Sequence, residues 1–160
     1  MSHTNPSGFK MHRIPPQFSC AVIPTADLDD CDARFLQANA THHKSDFWWQ
    51  LEMRRTGGKF SGDIGSIAIV RDQGEIAGWA RTDLWYDGNG RQWPTLEAFV
   101  RVQWRGRGIA AFAASGLASG ACIDAAGVAV FAPPMLLVAR RAGLRVSLFV
   151  KDVDGFWRLA

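Results

Sequence analysis

The stretch Arg105-Gly106-Arg107-Gly108-Ile109-Ala110 sets two basic side chains and two glycines directly ahead of an apolar run with helical spacing. The phosphates of a nucleotide ligand need backbone N–H donors in a positive field, and a helix N-terminus supplies both. Gly106 and Gly108 lack the Cβ atoms that would hold a ligand off the main chain. Arg105 and Arg107 add charge beside it. Basic glycine-containing loops also bind nucleic acid or merely turn. The position of this one, after a strand and before an amphipathic helix, points to a phosphate cradle. Upstream, Glu97 lies on the strand leading to the loop. Its carboxylate can accept a proton, directly or through water. The alternative is a strand residue paired with Arg101 on the same face. Tyr86 is the only tyrosine. It reads as a proton donor or as a strand-end aromatic with a wet hydroxyl.

Other reactive side chains give weaker patterns. His42 and His43 are adjacent in a polar stretch, with no third metal ligand at helical spacing. Asp46, Trp48 and Trp49 follow them and read as a wall for an acceptor or as packing on a sheet. Ser115 and Ser119 lack a partnered His and Asp. Arg140, Arg141 and Arg145 suit a helix C-terminus or a phosphate. The cysteines are Cys20, Cys31 and Cys122, with no CxxC pair. Buried reduced thiols are expected, with neither a disulfide nor a metal site.

These residues must be positioned by one domain, since 160 residues with 48% hydrophobic content build a single core. A loose tail is expected over 1–17 and a domain over 18–160. No apolar run approaches the ~18 residues of a membrane helix. The polar start carries no secretory pattern, so a cytoplasmic protein is expected. The net charge of +3 does not by itself imply nucleic acid. The seven tryptophans follow no repeat and suit an aromatic core or a substrate cleft.

Phe18 to Ile23 reads as a first strand, after which Thr25 or Asp27 can cap a helix. Helical spacing runs from Asp29 to Arg55, broken at 41–45, so two helices are expected. Three antiparallel strands follow over 64–70, 75–86 and 96–102, turned by Asp72-Gln73-Gly74 and Asp87-Gly88-Asn89-Gly90. A small-residue helix is expected from Ile109 to about Ala121. After it come a strand over 128–131, a helix opened by Pro133-Pro134 and stopped at Gly143, and strands over 145–150 and 156–159.

Val100-Arg101-Val102-Gln103-Trp104-Arg105-Gly106-Arg107-Gly108-Ile109-Ala110 resembles the acetyl-CoA-binding motif of the GNAT acetyltransferase superfamily, with Arg105, Gly108 and Ala110 in the pattern positions. Ala139-Arg140-Arg141-Ala142-Gly143-Leu144 resembles the end of that family's fourth helix. The resemblance spans about 18–160. It implies an α/β (α+β) fold with a central mixed, mostly antiparallel sheet of six or seven strands and about four helices. It implies acetyl-CoA as co-substrate, its pyrophosphate held by the amides of Gly106, Arg107, Gly108, Ile109 and Ala110 and its pantetheine arm by the main chain of Phe99, Val100 and Val102. An acceptor amine, on a small molecule, a protein or a nucleic-acid base, would attack the thioester directly, with neither metal nor covalent enzyme intermediate. A homodimer is left open. The tyrosine common in the family's fourth helix is replaced by Ala139. A non-catalytic acyl-CoA-binding module and a nucleic-acid-binding protein using Arg101, Arg105 and Arg107 therefore stand beside the enzyme reading.

Overall fold

The computed structural model describes residues 17–39, 66–119 and 127–160. The continuation of the helical stretch beyond 39, with His42, His43, Asp46, Trp48 and Trp49, lies outside the described residues, as does Cys122. The elements are β1 (Phe18–Pro24), α1 (Asp30–Asn39), β2 (Ser66–Asp72), β3 (Glu75–Tyr86), β4 (Gln92–Val100), α2 (Ile109–Ser119), β5 (Val128–Val130), α3 (Pro133–Arg141), β6 (Val146–Lys151) and β7 (Trp157–Leu159). Short 3-10 turns occupy Thr25–Asp27 and Val102–Trp104.

The seven strands form one sheet in chain order. β1 to β4 pair antiparallel, β4–β5 and β5–β6 pair parallel, and β6–β7 closes antiparallel. Helices α2 and α3 make the two parallel connections. This is the fold that the resemblance implied, with three of the expected helices among the described residues. No described helix is long and apolar enough to cross a membrane.

Two local expectations are corrected. Asp29 caps α1, its Oδ1 accepting the Asp32 N–H at 2.7 Å, while Thr25 and Asp27 belong to the preceding 3-10 turn. β4 starts at Gln92 and ends at Val100, so Val102 is an exposed turn residue rather than a strand position. The thiols also differ from expectation: Cys20 and Cys31 are free, but Cys20 is only half-buried and Cys31 is exposed.

Strand alternation sends successive side chains to opposite faces. On one face Ala68, Val70, Ala80, Leu96, Val128 and Val130 pack under α2 and α3. On the other, Ile67, Ile69 and Trp79 pack against Leu28 and Leu36 at α1. The small residues of α2 allow its backbone to settle low over β1–β4. Gly116 faces Cys20 and Val22 of β1. Gly78 of β3 lies under Ile109, and a Cβ there would sit 2.7 Å from the Phe99 carbonyl oxygen and 3.0 Å from Ile109 Cγ2. The first of these neighbours is backbone and cannot move aside cheaply. Gly78→Ala is therefore expected to destabilise the protein by about 1–3 kcal/mol in denaturant unfolding. Gly88→Ala meets nothing within 4 Å, so it should stay within about 0.5 kcal/mol of the parent.

Candidate functional site

β4 is bonded very differently on its two sides. Its pairing with β3 runs unbroken from Tyr86–Gln92 to Gly78–Val100. Its pairing with β5 is a single position, Thr95–Ala129. The Arg101 N–H donates to the Ala77 carbonyl at 3.0 Å, which sets the phase of the ladder. By alternation the main-chain groups of Phe99 and Arg101 face β3, and those of Ala98 and Val100 face the side where β5 has departed. Among the described residues, no strand pairs with β4 along that edge beyond Thr95.

The open edge runs into the basic loop. After β4 the chain tightens into the 3-10 turn, with Trp104 N–H donating to the Arg101 carbonyl and Arg105 N–H to the Val102 carbonyl. Trp104 is buried, and its Nε1 donates to Asp72 Oδ2 at 3.0 Å. Arg101 lies over the Trp104 ring and reaches Glu75 at 2.7 Å. These contacts tie the turn to the β2–β3 hairpin. Gly106 and Gly108 take φ of 79° and 78°, a region that favours glycine, and a Cβ on either would point into open space. Helix α2 starts next, with the Phe112 N–H donating to the Gly108 carbonyl at 3.0 Å. Gly108 is thus the N-cap and has no side chain to cap with. No acidic residue occupies the first turn. The first-turn amides of Ile109 to Ala111 have no acceptor within the helix.

The predicted residues fall into distinct places. Val100 lies on the open edge, and its carbonyl accepts the Arg105 Nε–H at 3.0 Å. Arg105 therefore folds back to brace the strand, a role the loop sequence did not suggest. Gly106, Arg107, Gly108, Ile109 and Ala110 form the loop and helix start, with Ile109 buried as its anchor. The Phe99 main chain belongs to the β3 ladder, and Val102 sits in the 3-10 turn that follows the strand.

Glu97 is held by Arg81, its partner across the β3–β4 ladder, with Arg81 Nη1 3.4 Å from Glu97 Oε2. Arg81 is 1% exposed, whereas the Glu97 side chain is 26% exposed. The expected partner, Arg101, is engaged by Glu75 instead. Sequence reading missed Arg81. Its signal was an arginine within the otherwise apolar run Ile76-Ala77-Gly78-Trp79-Ala80 and onward. Tyr86 is exposed, and its hydroxyl oxygen accepts the Gln92 Nε2–H at 3.2 Å. It sits at the opposite end of β4 from Val100, roughly 26 Å away along the strand and roughly 16 Å from Glu97 by the same rise. The structure does not bring it to the loop. Ala139 is buried on the inner side of α3. The Ser115 hydroxyl donates to the Ala111 carbonyl within its own helix. Among the described residues no His, Cys, Asp and Glu group could hold a metal ion.

Glu97 shares its face of the sheet with an aromatic cluster on the β4–β7 side. Trp93 and Phe149 are buried in it, with Trp85, Phe131 and Trp157 packed against them. The rings meet edge to face at centroid distances of 4.9–5.1 Å, as between Trp85 and Phe149 and between Trp85 and Phe131. The cluster is fixed from the β3–β4 turn, where Asp87 Oδ2 accepts Trp93 Nε1–H at 3.0 Å and Oδ1 accepts the Asn89 and Arg91 N–H groups. Asp152 repeats the arrangement in the β6–β7 turn, accepting from Asp154, Phe156 and Arg158.

No protein-family model matches the chain, and no curated protein matches it. Among solved structures, it is similar to glucosamine-6-phosphate N-acetyltransferase from Arabidopsis thaliana at 15% identity, covering 85% of this chain and 84% of that one, with a TM-score of 0.39. It is similar to the acetyltransferase of GNAT family from Streptococcus pneumoniae at 15% identity, covering 82% and 74%, with a TM-score of 0.39. It is similar to yncA from Salmonella typhimurium with its cofactor acetyl-CoA at 12% identity, covering 86% and 72%, with a TM-score of 0.39.

The two turn carboxylates have a pH consequence. The Trp93 hydrogen bond first, then the backbone donors, hold the Asp87 carboxyl below the ordinary aspartate range, and Arg158 does most to lower that of Asp152. A depressed folded value adds stability that is present above the unfolded value of about 3.9 and is lost as pH falls through the lower folded value. Thermal melts should therefore be insensitive to this pair from about pH 5 to 8 and should drop below about pH 4. The Asp87→Asn, Asp152→Asn double variant should show a shallower drop over that acid window, and near-ultraviolet circular dichroism should follow the tryptophans of the cluster.

Proposed function

We propose that this chain is an acetyl-CoA-dependent N-acetyltransferase, moving an acetyl group to a primary amine. The observation that carries the reading is the open edge of β4 leading into an uncapped helix N-terminus. The residues fit the co-substrate. Gly106 and Gly108 leave room for a pyrophosphate against the main chain, and the amides of Ile109 and Ala110 offer donors in the helix-dipole field. Ala98 and Val100 offer main-chain groups to the amides of a pantetheine arm. Acetyl-CoA supplies an activated acyl group; the acceptor nitrogen bonds to its carbonyl carbon as the carbon–sulfur bond breaks.

Glu97 is the proposed general base. Arg81 orients the carboxylate from a buried position, while the partial exposure of Glu97 leaves it reachable by an ammonium. No described residue near the opening matches the proton donor that a tyrosine at position 139 would supply. A thiolate is a fair leaving group, so the reaction slows without an acid but is not forbidden.

The buried Ala139 gives a second reading its support: a domain that binds acyl-CoA without turnover. The nucleic-acid reading loses support, because Arg101 is engaged by Glu75 and Arg105 by the Val100 carbonyl. A strongly salt-dependent DNA affinity that CoA leaves unaffected would restore it.

Calorimetric titration with CoA and acetyl-CoA, followed by thiol release over an amine panel, separates enzyme from module. Gly108→Asp and Gly108→Asn form an isosteric pair at a positive-φ position that both residues tolerate. The aspartate should weaken CoA binding by about tenfold more than the asparagine, because it adds a negative charge facing the phosphates. Equal affinities would place the phosphates elsewhere. Glu97→Gln should lower kcat by about 10²-fold with unchanged CoA affinity, and should remove the acid limb of the pH–rate profile.

A further inference from the structure

We infer that the acceptor is a monoamine on a flat aromatic carrier, bound against the aromatic cluster beside Glu97; this rests on the acetyltransferase reading. The argument begins with register. From the Thr95–Ala129 pair, two residues along each strand lead to Glu97 on β4 and Phe131 just past β5. Both side chains take the face opposite α2 and α3. Phe131 thus stands across the opening from the carboxylate, at the point where the strands part. The ring that faces the proposed base across the opening is backed by further rings.

The exposure of those rings sets them apart from a sealed core. Val128 and Val130, on the α2 and α3 face, are completely buried. Trp85, Phe131 and Trp157 keep part of their surface accessible, while Trp93 and Phe149 form the buried floor beneath them. Helix α1 packs on the β1–β3 part of this face and belongs to a different cluster. Among the described residues no helix packs on the rings beside Glu97, and the surface is rigid, since each ring is held edge to face by a neighbour. A flat ring can stack there with little loss of side-chain freedom.

Charge narrows the class further. The Arg91 guanidinium lies 4.0 Å over the Trp93 ring, and the Lys151 ammonium lies 5.2 Å from the Trp157 ring. Cations thus flank the cluster at two places, and their attraction to the ring faces is already engaged. An acceptor with a second ammonium at its far end would meet Arg91 or Lys151, and the neighbouring carboxylates Asp87 and Asp152 are already engaged by Trp93 Nε1–H and by Arg158. An acceptor with one ammonium, directed to the solvent side of the Glu97–Arg81 pair, keeps its uncharged aromatic body clear of Arg91 and Lys151.

The test is calorimetric titration of tryptamine, 2-phenylethylamine, hexylamine and cadaverine into the protein, with and without saturating CoA. The aryl amines should bind about tenfold more tightly than hexylamine, with cadaverine weakest. Phe131→Leu should shrink the aryl preference to within about threefold while CoA affinity is retained; Trp157→Leu serves if the first variant unfolds by circular dichroism. Hexylamine or cadaverine binding as tightly as the aryl amines would overturn the inference, as would an equal loss for all amines in the variant. CoA binding without aryl-amine binding sinks this inference alone. Failure of CoA to bind sinks the acetyltransferase reading, and the titrations without CoA still report whether the aromatic surface prefers rings.

Discussion

A strand bonded along its whole length on one side and at a single position on the other is the constraint around which this fold is arranged. β4 cannot leave β3, because their ladder is continuous from Tyr86–Gln92 to Gly78–Val100. It can leave β5, because only Thr95 and Ala129 pair. The unbonded edge is costly if buried dry, at about 1–3 kcal/mol for each unmade hydrogen bond. One part of that cost is met internally, by the Arg105 side chain on the Val100 carbonyl. The remaining edge groups of Ala98 and Val100 are where a ligand with its own amides gains most. The opening and the loop beyond it are therefore one feature: the strand that parts from its neighbour also delivers the chain to the start of α2.

Holding that opening requires the loop to be anchored from outside the gap. Trp104 is anchored to Asp72 at the end of β2, and Arg101 to Glu75 at the start of β3. Arg101 also lies 5.2 Å from the Phe35 ring of α1. Below the same hairpin, Arg71 of β2 pairs with Asp32 of α1. The short exit from β4 is thus connected through cation, ring and carboxylate contacts to the helix on the far face. Such contacts are individually weak where exposed. Their value here is positional, since they converge on a turn whose two glycines cannot hold a conformation by themselves.

The proposed donor side was legible in the sequence because it is built of backbone. Gly106 and Gly108 are needed where φ is positive, and glycine is visible in a sequence. The side-chain partners were less legible, because they depend on register. Glu97 was paired with Arg101 on the strength of strand periodicity, yet its partner, Arg81, is distant in sequence and opposite in the ladder. Pro94 hid the start of β4. A proline lacks the N–H a ladder needs, but residue 94 turns toward β5, whose pairing begins only at Thr95, so no donor is required. The strand end was misplaced because Val102 continues the apolar alternation. The chain turns earlier to bury Trp104, a tertiary demand that no local pattern reveals.

The same asymmetry bears on catalysis. A phosphate cradle made of amides survives most side-chain changes, whereas proton transfer depends on particular side chains. Ala139 removes one such side chain from its expected place, and Tyr86 stands too far along the β3–β4 hairpin to replace it. Glu97 remains, with its orientation fixed by a buried arginine and part of its carboxyl group open. An amine that arrives protonated needs a base before it can attack, while a departing thiolate can leave without an acid. Of the two proton transfers, the chain has kept a candidate for the one that the chemistry can least do without. Under the proposed transferase reading, the demand for precise fit falls between Glu97 and the rings beyond the opening.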